Sequence, residues 1–231
     1  MNRKTLDAAI QEIRDYTNGH AELRVAHHFL YDLPLDKKAG KPEVMVMGIN
    51  PGEPERCWKA CAGPTEETWN FDFHEKTSSG RDGGSIRWRK NATFFADGKP
   101  AVFTELFFWS SRNKEQFKQR FGPLWRSNHL CFCMGMNRIL IKEYQPKSVI
   151  FVGVTDSKKV AKEFGLDYVY TLKSSSNRLV ENRLVEHYRD DESRPWYFTK
   201  HWSGSHGFSN AQKEQIRNYI RCQSGMPALS Q

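Results

Sequence analysis

No apolar run in the 231 residues approaches the roughly twenty that cross a bilayer, so no membrane-spanning helix and no membrane partner are expected. Cysteine is scarce and odd in number: Cys57, Cys61, Cys131, Cys133 and Cys222. An odd set argues against a disulfide framework. Neither Cys57-x3-Cys61 nor Cys131-x-Cys133 has the two-residue gap of zinc or iron–sulfur knuckles. Reduced, partly buried thiols are the expected state, with four thiolates on a cluster as the other reading. His27 and His28 lack carboxylate or cysteine company, so they read as structural, and no metal or cofactor is expected. Internal repeats are missing, and so is any linker that would split the chain. A single domain over 1–231 is expected, with a core at about 43–220. The opening MNRKTLDAAIQEIRDY mixes both charges and has no apolar signal core, so the expected location is cytoplasmic.

What the chain does have is aromatic residues and positive charge. Seven Trp and fifteen Phe argue for a folded core and against disorder. A formal net charge of +8 and a pI near 9.2 favour a polyanion such as nucleic acid as partner.

Apolar spacing predicts an amphipathic helix over 4–18, with Leu6, Ala9, Ile10, Ile13 and Tyr16 on one side and Gly19 as C-cap. Strands are expected at 43–49, 101–111, 147–153 and 194–204, and a short edge strand at DYVYTL. Helices are expected over 113–143, broken at Gly122-Pro123, in DSKKVAKEFG up to Gly165, and after an N-cap at Ser209. Residues 53–100 read as a polar insertion, with a Gly/Ser/Arg loop in TSSGRDGGSIRWRKN, and the tail after Ser224 as frayed. Strands alternating with helices imply an α/β fold: three layers, α/β/α, around a mainly parallel four-stranded sheet.

VMVMGINPGEPE, Val44 to Glu55, stands out. Four apolar residues run into a turn that places one uncharged polar side chain, Asn50, at the strand's carboxyl end. In open α/β sheets ligands bind there. The second strand delivers Thr104 and Glu105 to that edge, and the last delivers Lys200, His201, Trp202 and Ser203.

GINPG at the end of the first strand resembles the first motif of the uracil-DNA glycosylase superfamily, most of all its mismatch-specific, thymine-DNA-glycosylase-like branch. HWSGSHGFS, 201–209, is similar to the second motif, His-Pro-Ser or Asn-Pro-Ser followed by Gly or Pro and Leu-Ser. VFTELFFW takes the place of the strand that carries a base-reading Asn, and KSVIFVG resembles the third core strand. Order and spacing hold over about 43–220.

The resemblance implies a monofunctional DNA glycosylase, acting on DNA as a monomer. The base is flipped into a pocket and water displaces it from C1′ without a metal. Asn50 matches the water-positioning residue and His201 the residue that stabilises the departing base. Gly48, Ile49, Gly52, Glu105 and Trp58 form the implied base-binding set. Trp69, Phe71 and Phe73 are further candidates for stacking on the base. Pro51, Lys200, Ser203 and Gly204 are expected at the DNA, with Ser203 pinching a phosphate and Phe208 as the wedge. Arg87 and Arg89, around Trp88, suit a phosphate track, or else a solvated basic loop.

Departures from the motifs are specific. Uracil-selective branches carry Tyr where Gly52 stands, so a C5-substituted pyrimidine is expected to fit. Glu105 stands near the base-reading Asn; as an ionised carboxylate it would accept hydrogen bonds only, suiting an exocyclic amine. Trp202 replaces a Pro. Each residue also has a plainer reading: Asn50 as a turn residue, His201 as a core histidine, Glu105 as a structural acid paired with Lys or Arg. Two other functions remain open: a catalytically silent DNA-binding member, and a nucleotide or nucleoside enzyme on the same scaffold.

Overall fold

Local signals in the chain set where its elements begin and end. The computed structural model describes residues 3–24, 26, 31–32, 43–50, 94–99, 101–174, 183–200 and 209–225. Among these the helices are α1 (Arg3–Gly19), α2 (Ala21–Arg24), α3 (Lys114–Phe121), α4 (Asn128–Tyr144), α5 (Ser157–Phe164) and α6 (Asn210–Gln223). The strands are β1 (Tyr31–Asp32), β2 (Val44–Gly48), β3 (Ala101–Glu105), β4 (Ser148–Val152), β5 (Asp167–Lys173), β6 (Arg183–Arg189) and β7 (Pro195–Thr199). The described residues fall into two compact units. One holds 3–24, 26, 31–32, 48–50 and 102–145; the other holds 43–47, 94–99, 101, 146–174, 183–200 and 209–225.

In the first unit, α1 buries Ala9, Ile13 and Thr17, spaced one helical turn apart, and lies against α4. The Tyr16 ring stacks on Phe132 of α4 with centroids 3.8 Å apart. Fully buried Trp109 donates its indole N–H to Thr17 Oγ1 at 3.1 Å, which satisfies its one polar atom. Asn113 caps α3 by accepting the Gln116 N–H at 2.9 Å. The helix stops at Gly122, whose φ of +74° lies in the left-handed region that glycine adopts without penalty. Pro123 follows, so the break expected at Gly122-Pro123 is where the chain turns into α4. β1 pairs antiparallel with β3.

In the second unit the sheet is mixed. Its order is β2-β4-β7-β6-β5, with β2, β4 and β7 parallel and β6 and β5 antiparallel to their neighbours. The expected mainly parallel, four-stranded sheet is corrected on this point, while the α/β class stands. The tight turn after β6 explains the antiparallel step. Asp190 Oδ1 accepts the N–H groups of Glu192 and Arg194 at 3.1 and 2.8 Å, which folds the chain straight back into β7. β6 has no counterpart in the sequence reading, because RLVEHYR puts Glu186 and His187 among its buried residues. Glu186 is tolerated there because Ser157, Arg183 and Tyr188 all donate to it. Helix α5 ends at Gly165, in the left-handed region, and α6 starts from a capping box of Ser209 and Gln212.

Candidate functional site

The motif segment Gly48-Ile49-Asn50 leaves β2 at its carboxyl end and stays alongside the chain that leaves β3. The Leu106 N–H donates to the Gly48 carbonyl and the Phe107 N–H to the Ile49 carbonyl, both at 2.9 Å. β3 therefore ends at Glu105 rather than running to residue 111, the expected bound. Its continuation is held by the motif segment through these two bonds.

Asn50 is half-buried, and its Nδ2 donates to Ser111 Oγ at 2.9 Å. That bond orients the amide plane, which a surface turn residue would leave to rotate. Ser111 is buried, so the pair exchanges little with water.

Glu105 meets Gly48 across the two chain segments. A Cβ built on Gly48 would lie 2.8 Å from the Glu105 Cδ and 2.9 Å from its Oε1, and closer still to Oε2. Only glycine at position 48 leaves room for that carboxyl group. Asn137, buried on α4, pins the backbone below it: Nδ2 donates to the carbonyls of Glu105 and Leu106 at 3.0 and 3.3 Å. Its Oδ1 accepts from Thr104 Oγ1 at 3.2 Å. Glu105 Oε2 is sealed from solvent and has no hydrogen-bond partner. Burial pushes the carboxyl up from 4.5 to about 8. The acid is thus neutral at pH 7, and the expectation of an ionised, acceptor-only carboxylate is replaced. Among the described residues no Lys or Arg is paired with Glu105 through a salt bridge.

Lys200 directly follows β7, is half-buried, and lies in the second unit, whose parallel strands β2, β4 and β7 end at one edge. The structure therefore brings Gly48, Ile49, Asn50 and Glu105 together. Pro51, Gly52, Trp58, Arg87, Arg89, His201, Ser203, Gly204 and Phe208 lie outside the described residues. The same holds for Trp69, Phe71, Phe73, Trp88, Trp202, His27, His28, Cys57 and Cys61.

Sequence reasoning missed Ser111 and Asn137. Asn137 had a signal: it is the one amide in the otherwise apolar register of MGMNRILI. Ser111 had none, because its role depends on where Asn50 arrives. The described residues include no group of three or more His, Cys, Asp or Glu able to hold a metal ion, and no helix long and apolar enough to cross a membrane.

The raised Glu105 value sets a pH dependence of stability. The folded carboxyl binds its proton more tightly than the unfolded one. The contribution is full below about pH 4.5, falls as pH rises, and is gone above about 8. His187, lowered by burial to about 4, acts in the opposite sense, but only below its ordinary 6.5. Between about pH 7 and about 8 thermal stability is expected to fall with rising pH, and Glu105→Gln to flatten the fall. Melting temperatures measured across that window check this. A flat wild-type profile would mean that the folded carboxyl titrates normally.

Scans against models of known protein families and against curated proteins find no match to this chain.

Proposed function

We propose that this chain is a monofunctional DNA glycosylase of the uracil-DNA glycosylase-like α/β kind, which hydrolyses the N-glycosidic bond of a flipped, damaged or modified pyrimidine. The observation that carries the reading is Asn50 in GINPG, at the carboxyl end of β2, with its amide oriented by Ser111. Water activation by an amide uses the acceptor oxygen, and the bond from Nδ2 to Ser111 fixes which end of Asn50 does so. An amide is a weak base, so it orients water rather than deprotonating it. The reaction then favours bases that leave readily. Positive charge develops on the sugar and negative charge on the base in the transition state. By the resemblance, His201 stabilises the departing base, Ser203 holds a phosphate and Phe208 fills the gap left in the duplex. The excess of 35 Lys and Arg over 27 Asp and Glu supports a polyanionic partner.

The test is a panel of duplex and single-stranded oligonucleotides, each with one modified base, incubated with the protein and then treated with alkali. Cleavage at the modified position is the expected result. Retarded DNA without alkali-labile sites identifies a silent binder instead. Loss of the base from free nucleotides but not from DNA identifies a nucleotide enzyme.

Gly52 is proposed to leave the pocket open beside C5 of the base. Gly52→Tyr is expected to slow release of a C5-substituted pyrimidine by about ten- to a hundredfold and to spare uracil, because the new ring occupies the substituent's space. Single-turnover rates on the two bases check this, and equal slowing of both would show that this wall does not set size selectivity.

A further inference from the structure

The Glu105 carboxyl group has two properties that a structural acid lacks. Oε2 is sealed without a partner, and the nearest amide, Asn137, spends its donors on backbone carbonyls rather than on the acid. An unpartnered polar atom inside a protein costs free energy, and such atoms mark ligand sites more often than frameworks. The residue as a whole keeps partial exposure, so rotation about its last side-chain torsion exchanges the sealed oxygen with the other one. The groups around it come from three elements: Gly48 from β2, Thr104 from β3 and Asn137 from α4. None of these is charged. Desolvation is the one cause that shifts the carboxyl, so no titratable neighbour opposes it among the described residues.

We propose that Glu105 reads its ligand as a neutral acid, donating from one oxygen and accepting at the other, to a planar ring edge where a donor and an acceptor stand side by side. The ligand's identity as a nucleobase rests on the glycosylase reading; the donor–acceptor match rests on Glu105 and Gly48. A neutral carboxyl pairs with the lactam edge of a uracil-type base, donating to O4 and accepting from N3–H. Moving the proton to the other oxygen, or turning the group by half a rotation, pairs it with the amidine edge of a cytosine-type base. It then accepts from the exocyclic amine and donates to N3. An ionised carboxylate has no donor for either O4 or N3. The site therefore takes both pyrimidine edges below the titration of Glu105 and loses both above it. Its near-neutral value places that loss just above neutral pH. Gly48 is required because any side chain there displaces the carboxyl group.

The test uses the full chain with free uracil and free cytosine, from about pH 6 to about pH 9, bracketing the value of about 8. The Glu105 carboxyl carbon is followed by nuclear magnetic resonance, and affinity by calorimetry. The carboxyl is expected to titrate near the upper end of this range, and bound uracil to raise the midpoint. Affinity for both bases is expected to fall about tenfold per pH unit above it. Glu105→Gln keeps a donor and an acceptor but has no ionisation, so it is expected to bind with a flat profile. Glu105→Leu is expected to lose both bases while circular dichroism stays native. A carboxyl that titrates in the ordinary carboxylate range overturns the proposal. So does a Glu105→Gln variant with the wild-type profile, or a wild-type chain that binds neither base. Base release from DNA whose pH profile is unchanged by Glu105→Gln overturns this proposal and leaves the glycosylase reading standing. The expected binding profile without base release from any oligonucleotide supports the proposal and removes the glycosylase reading.

Discussion

Asn50→Ala is expected to lower single-turnover base release by about a thousandfold while DNA affinity stays within about twofold. The two readouts separate because affinity for DNA comes chiefly from backbone charge, which this change leaves alone. The substitution removes the one amide that β2 delivers at its carboxyl end, and with it the bond to Ser111. Ser111→Ala leaves the amide in place but lets it rotate, so a smaller loss, about tenfold, is expected. Equal effects of the two changes would place catalysis in the hydroxyl rather than the amide. Full activity in Asn50→Ala would return Asn50 to the role of a turn residue.

Gly48→Ala is expected to destabilise the fold by about 1–3 kcal/mol, the usual cost of forcing an extra carbon into filled space. For a chain of this length that corresponds to roughly 2–4 °C in melting temperature per kcal/mol. The cause is local, since the new Cβ meets the Glu105 carboxyl and nothing else is recorded within 4 Å. Removing the obstacle should therefore remove the penalty. The Gly48→Ala, Glu105→Ala double variant is expected to be no less stable than Glu105→Ala alone, so the two changes should be strongly non-additive. Additive melting shifts would show that Gly48 is required for its backbone rather than for the carboxyl it accommodates.

Helices were legible wherever a cap coincided with an apolar stripe. Ser209 and Gln212 start α6, Gly122-Pro123 separates α3 from α4, and Gly165 ends α5, because these signals lie within a few residues of the ends they set. The parallel strands β2 and β4 were legible as continuous buried runs. β6 was not, because its buried acid is neutralised by Ser157 and Tyr188, partners that only the fold supplies. The end of β3 was overestimated because residues 106–111 are as apolar as a strand but hydrogen-bond to the motif segment instead. Within the site, Asn50 and Glu105 were legible as polar residues at strand ends. The charge state of Glu105 was not, since it depends on burial against Gly48 and on the lack of a partnered cation among the described residues. Ser111 and Asn137 act by holding other residues, a role that no local pattern announces.

The central claim is hydrolytic removal of a base from DNA by the Asn50 site. Mass spectrometry of an oligonucleotide bearing one modified pyrimidine, after incubation with wild-type protein or Asn50→Ala, tests it most directly. The account predicts an abasic strand and an equal amount of free base with wild type, and an intact strand with the variant. An intact strand with both proteins, for every pyrimidine tried, would contradict it.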